Sequence, residues 1–127
     1  MQGGAPTILL VDDDEAFRYS AAKAMTDAGF VVVPVADYAG ALAILDTEQP
    51  VELLVTDIIM PERIHGFALA RMARMRRHAI KVMFITGYDV PTVEGLGKVL
   101  RKPIGPDELV AEVRAALAAP PETRPLR

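Results

Sequence analysis

Short apolar runs alternate along this chain with longer stretches whose apolar positions recur every three or four residues, which reads as strand and helix in turn. Strands are predicted at 8–11, 31–35, 53–56, 82–85 and 99–101. Four of them are nearly continuous runs of Val, Ile and Leu, as suits strands covered on both faces of a parallel sheet. Helices are predicted at 15–28, 39–47, 66–77, 90–96 and 106–118. The fold class is therefore α/β, a (βα)5 pattern around a five-stranded parallel sheet. In the last helix, Gly105 and Pro106 suit the cap and first turn, and Asp107 and Glu108 meet the positive end of the dipole. Leu109, Val110, Val113 and Leu117 then fall at helical spacing toward the sheet. The expected division is a flexible N-terminus at 1–6, one domain at 7–118, and a Pro-rich tail or start of a linker at 119–127.

Composition narrows the function classes. A chain of 127 residues can bury roughly two thirds of its unfolded surface, enough for one core. Its apolar runs fall far short of the roughly 18 residues that a membrane-spanning helix needs, and residues 1–7 lack the pattern of a secretory signal. A cytoplasmic location, with no membrane partner, is expected. The absence of cysteine excludes disulfides, thiolate chemistry and cysteine-ligated zinc. The net charge of −3 has the wrong sign for gripping phosphate backbones, and no DNA-binding domain is read in the chain.

Ligands of open α/β sheets bind beyond the carboxyl ends of the strands. There the chain places Asp12, Asp13 and Asp14 after the first strand, Asp57 after the third, Thr86 after the fourth and Lys102 after the fifth. Asp14 reads as the cap of the following helix. For the others, crowding requires compensation. Two unit charges about 4 Å apart at an effective dielectric near 20 repel by roughly 4 kcal/mol, equivalent to about three pKa units. Lys102 offsets part of this, and an oxygen-preferring divalent cation offsets the rest. Magnesium suits the donors better than zinc, since neither His65 nor His78 lies near these positions. Such a set matches phosphoryl transfer, which needs an in-line nucleophile and positive groups around the equatorial oxygens. Asp57 is the expected nucleophile, forming an acyl phosphate, with Asp12 and Asp13 on the metal. Lys102 and Thr86 are expected on phosphoryl oxygens, and Gly87 leaves the approach open.

These residues resemble the receiver domain of two-component response regulators over about residues 7–118. The segments that carry the likeness are Ile8-Leu9-Leu10-Val11-Asp12-Asp13-Asp14, Val55-Thr56-Asp57-Ile58-Ile59-Met60-Pro61, Phe84-Ile85-Thr86-Gly87 and Leu100-Arg101-Lys102-Pro103. Each segment alone is weak; together, in this order at strand ends, they are specific. The resemblance implies a flavodoxin-like, doubly wound sheet of order 2-1-3-4-5 and a histidine kinase or histidine phosphotransfer protein as donor. It also implies slow self-catalysed dephosphorylation rather than enzymatic turnover, and a metal shell of Asp12, Asp13, Asp57 and the backbone carbonyl of Ile59.

Two departures bear on how a signal would be read. Val99 occupies the place where receivers often carry a Phe or Tyr, and the stretch from Thr86 to Lys102 is short and contains Pro91, Gly95 and Gly97. A shortened or irregular fourth helix follows, with readout expected through the loop at 87–96. Alternatives are a receiver module of a hybrid histidine kinase, a receiver that works without phosphorylation, and a phosphohydrolase of the haloacid dehalogenase type. The last would use Asp12 and Asp14, but Ala16 stands where that motif wants Thr or Val. A flavin-binding relative lacks its phosphate loop here.

Other tempting residues have plainer readings. His65 and His78 read as exposed loop residues, and Arg71, Arg74, Arg76, Arg77 and Lys81 as a solvated face. Met72 and Met75 read as core, and Tyr88 either packs on the surface or shields the phosphoryl site.

Overall fold

The computed structural model describes residues 4–59, 65–88 and 96–120. Five strands, β1 (Thr7–Val11), β2 (Val31–Val35), β3 (Leu53–Asp57), β4 (Lys81–Thr86) and β5 (Lys98–Arg101), form one sheet in the order β2-β1-β3-β4-β5. Every neighbouring pair is parallel. Four helices, α1 (Glu15–Asp27), α2 (Tyr38–Leu45), α3 (Gly66–Arg76) and α4 (Pro106–Ala118), lie among the described residues. This is the doubly wound, flavodoxin-like arrangement. The helix expected at 90–96, and with it the shortened fourth helix, falls outside the described residues except for Leu96.

Period-two alternation divides the core between the sheet faces. Leu9, Val11, Leu54, Val82 and Phe84 join Leu69, Ala70 and Ala73 beneath α2 and α3. Ile8, Leu10, Leu53, Val55, Met83, Ile85 and Leu100 join Met25, Leu109 and Val113 beneath α1 and α4. Strand β2 departs from the fully covered pattern: Val31 and Pro34 are exposed, because β2 is an edge strand, where a proline removes no ladder bond.

Local chemistry sets the helix ends. Asp14 caps α1, its Oδ1 accepting from the Phe17 N–H at 3.1 Å, and Asp37 caps α2 in the same way through Gly40 at 2.8 Å. Beyond α1, Gly29 takes φ +102°, the left-handed turn that ends many helices. At Gly97, φ is +154° and a Cβ would run into the Val82 carbonyl oxygen, so β5 can lie against β4 only with glycine there. The predicted start of α4 holds, with Pro106 in the first turn and Asp107 and Glu108 beside it.

Two sequence readings on α3 change. Its buried stripe is Gly66, Leu69, Ala70 and Ala73, which leaves Met75 on the far side at 73% exposure instead of in the core. The basic residues at its end are not merely solvated. Arg77 donates to the carbonyls of Leu45, Gln49 and Thr47 at 3.2, 2.8 and 2.7 Å. Arg76 pairs with Asp46 at 2.7 Å, Arg74 donates to the Leu96 carbonyl at 3.0 Å, and Lys81 donates to the carbonyls of Leu117 and Ala119, each at 2.6 Å. His65 and His78 are exposed, as expected.

Candidate functional site

The sheet's order reverses at β1, whose neighbours are β2 and β3. Register brings the strand ends level there. Val11 lies opposite Thr56, so Asp12 and Asp57 follow side by side, while Thr86 lies opposite Arg101, one residue before Lys102. Parity then sorts the side chains: Asp12, Asp57 and Lys102 continue the rows of Leu10, Val55 and Leu100 on the α1 and α4 face, and Thr86 continues the row of Phe84.

The carboxylates of Asp12, Asp13 and Asp57 each place an oxygen within 4.8 Å of the others. The Lys102 ammonium lies 2.9 Å from Asp12 Oδ2 and 3.7 Å from Asp57 Oδ2. Asp12 is buried, and its Oδ1 accepts from the Asp14 N–H at 2.9 Å. Its Oδ2 is shut off from solvent and, among the described residues, forms no hydrogen bond of good geometry, so the ammonium meets it as a charge. The Ile59 N–H donates to Asp57 Oδ1 at 3.3 Å, fixing the carboxylate plane. Thr56 Oγ1 donates to the Asp57 carbonyl at 2.9 Å.

The helix after β3 must pass close beneath. A Cβ at Gly66 would collide with the Asp57 carbonyl oxygen and come within 2.9 Å of Ile58 Cα, and Gly66 donates its N–H to the Ile58 carbonyl at 2.8 Å. Glycine there is a condition of the close approach. Thr86 is wholly buried; its Oγ1 accepts from the Tyr88 N–H at 3.2 Å, which leaves the hydroxyl hydrogen to donate elsewhere. Its carbonyl accepts from the Lys102 N–H at 2.8 Å, tying β4 to the lysine. Tyr88 is exposed, and a Cβ at Gly87 would meet nothing within 4 Å.

Burial pushes the Asp57 carboxyl above its ordinary value, and the charge of Asp12 adds to this; Lys102 and the backbone N–H groups of Ile59 and Ile58 oppose it. Burial works against the Lys102 charge, but the Asp12 contact and the fields of Asp12, Asp57 and Asp14 outweigh it, so that its pKa rises.

Three carboxylates face one ammonium, which leaves two negative charges, and every donor is oxygen. The buried Asp12 Oδ2 points the same way: the donor set fits a hard divalent cation better than zinc. Asp12, Asp13, Asp57, Thr86 and Lys102 thus meet at one rim, as the sequence predicts, and Ile59 follows at the exit of β3 with its side chain exposed. Val99 is half-buried and packs on the α2 and α3 side of the core. Two residues of α1 escaped the sequence reading. The Lys102 Nζ lies 4.3 Å from the centroid of the Phe17 ring, and Arg18 Nη1 donates to the Asp12 carbonyl at 2.7 Å.

An open, doubly wound α/β domain with an acidic pocket and a lysine at its switch point is the class that fold and site define. The family profile of the response regulator receiver domain matches residues 8–114, and the chain belongs to that family, whose members serve two-component signalling. The response regulator receiver protein CpdR of Brucella abortus (strain 2308) is 39% identical over 121 residues, covering 88% of this chain and 97% of that one. Among solved structures, a response regulator receiver protein from Sinorhizobium medicae WSM419 matches with TM-score 0.80 and 30% identity, over 91% of this chain and 96% of that one. The receiver domain from the hybrid histidine kinase CckA matches with TM-score 0.76 and 35% identity, over 87% of this chain and 98% of that one. Receiver domains pair with histidine kinases or phosphotransfer proteins. Among the described residues no helix is long and apolar enough to cross a membrane.

Proposed function

We propose that residues 7–118 form a phosphoacceptor switch in which Asp57 takes a phosphoryl group from a histidine kinase or histidine phosphotransfer protein in the cytoplasm. The observation that carries this reading is the Lys102 ammonium, 2.9 Å from Asp12 and 3.7 Å from Asp57 in a pocket with surplus negative charge. A carboxylate oxygen of Asp57 attacks the phosphorus, the bond from phosphorus to the donor's imidazole nitrogen or acyl oxygen breaks, and its electron pair leaves with the donor. Asp57 then carries an acyl phosphate. Lys102 balances charge that gathers on the phosphoryl oxygens, and Thr86 donates its free hydroxyl hydrogen to one of them. Asp12, Asp13 and Asp57, with the backbone carbonyl of Ile59, would hold a magnesium ion. When bound, magnesium supplies positive charge to the transferring group. Water then attacks phosphorus, the bond from phosphorus to the Asp57 oxygen breaks, and inorganic phosphate leaves with Asp57 restored as its carboxylate, which makes the chain a timed switch with self-catalysed phosphorylation and dephosphorylation rather than an enzyme acting on a separate substrate.

The test is incubation with acetyl phosphate or beryllofluoride, with and without magnesium, read by intact mass and fluorine NMR. The expected outcome is one phosphoryl adduct that needs magnesium and is lost in Asp57→Asn. An adduct that persists in Asp57→Asn but disappears in Asp12→Asn would favour a dehalogenase-type site instead.

Near-complete coverage of CpdR supports a stand-alone regulator. Likeness to the CckA receiver supports a second reading, a module of a hybrid kinase. An immunoblot of the native protein separates them by size.

A further inference from the structure

Resting on the phosphoacceptor reading, we infer that Phe17 is a positioning residue for phosphoryl transfer, holding the Lys102 ammonium over its ring and so aiming it at Asp12 and Asp57. The ammonium lies 4.3 Å from the ring centroid, inside the range in which the negative face of an aromatic ring attracts a cation. Lys102 is only 19% exposed, so water screens that attraction weakly. A four-carbon stem would otherwise leave the ammonium free to swing toward solvent.

The backbone that carries the ring is itself held by the acid loop. Asp12 Oδ1 accepts from the Asp14 N–H at 2.9 Å, Asp14 Oδ1 accepts from the Phe17 N–H at 3.1 Å, and Lys102 closes the circuit on Asp12 Oδ2 at 2.9 Å. Arg18 pins the same loop through the Asp12 carbonyl. The circuit runs from Asp12 through Asp14, Phe17 and Lys102 back to Asp12, so the helix cap that starts α1 also places the cation of the site. Asp14 therefore does more than begin a helix. Its capping bond sets where the backbone that carries the ring enters α1. Phe17 lines an open groove with Ile104, Pro106 and Leu109.

The experiment is a double-mutant cycle on the rate of phosphorylation by acetyl phosphate at saturating magnesium, with wild type, Phe17→Leu, Lys102→Met and the double variant. Phe17→Leu is expected to slow the reaction roughly 3- to 30-fold. It is expected to slow it no further in the Lys102→Met background, and Phe17→Tyr is expected to restore it. A structural role alone would give effects that add across the cycle, and that result, or an unchanged rate in Phe17→Leu, overturns the inference. If Phe17→Leu fails to fold, a trifluorinated phenylalanine at position 17 keeps the shape and weakens the ring face; an undiminished rate there likewise overturns it. Wild type that forms no adduct at all would instead refute the phosphoacceptor reading itself.

Discussion

At the amino ends of the strands, Arg77 spreads its guanidinium over the carbonyls of Leu45, Gln49 and Thr47, and Lys81 sits on the carbonyls of Leu117 and Ala119. Those carbonyls end α2 and α4 or follow them, where helices leave acceptors unpaired and the dipole favours a cation. At the carboxyl ends, Lys102 meets two carboxylates, a third stands nearby, and an oxygen of the buried Asp12 lacks a well-formed hydrogen bond. One rim meets its cations with carbonyl acceptors that the helix ends leave unpaired. The other keeps a surplus of negative charge out of water, at a cost in stability that makes sense only if something positive arrives. Damage to the first rim should therefore destabilise the fold, and damage to the second should impair its chemistry.

The largest effect is expected at Lys102. Lys102→Met removes the positive group facing Asp12 and Asp57, and the rate of phosphorylation by acetyl phosphate, followed by intact mass, should fall on the order of 100-fold or more. A loss below about tenfold would mean that the pocket does not depend on this ammonium, and the contrast between rims would weaken. Gly66→Ala should strike both properties. Its Cβ collides with the backbone that carries Asp57, so urea unfolding should show a loss of about 1–3 kcal/mol together with slower phosphorylation. Unchanged stability would show that α3 can shift freely beneath β3.

Arg77→Met tests the opposite rim. It removes donors to three carbonyls while keeping much of the aliphatic stem, and should cost about 2 kcal/mol in urea unfolding. Phosphorylation of the folded variant should match wild type. A variant that stays folded yet reacts slowly would show that the two ends of the sheet are coupled.

The contrast also explains what could be read from residues alone. Asp12, Asp57, Thr86 and Lys102 were legible because they end apolar runs, and parallel strands bring such ends to one edge whatever the details of packing. Asp14 was legible as a cap from its place before a helical period, and its structure agrees. Arg77 and Lys81 were not, because their partners are backbone carbonyls, which every residue owns and no residue type betrays. Phe17 was hidden for a related reason: its meeting with Lys102 depends on how α1 lies across the sheet, whereas an aromatic residue in a first turn looks like ordinary core. Met75 misled in the reverse direction, since three-residue spacing from Met72 said nothing about which side of α3 the sheet would cover.

The smallest effect concerns the charge surplus itself. Burial and the charge of Asp12 hold the Asp57 pKa above its ordinary value of 3.8, so the native state keeps this proton more tightly than the unfolded chain does. The ionised carboxylate therefore takes stability away as pH rises from 3.8 through the native value. Lys102 has the same sense in a higher window: its raised pKa contributes stability that is fully present below 10.5 and is lost only as pH rises through its native value, so it does not disturb the neutral range. In a chelating buffer near pH 7, Asp57→Asn should melt a few degrees above wild type, and the difference should vanish toward acid pH, where wild type has its proton. Added magnesium should narrow or reverse the gap, because it binds the carboxylate of the wild-type native state and stabilises that state by mass action. A less stable Asp57→Asn in chelator would mean that the pocket has already found its compensation within the chain, leaving no electrostatic reason for a cation to enter.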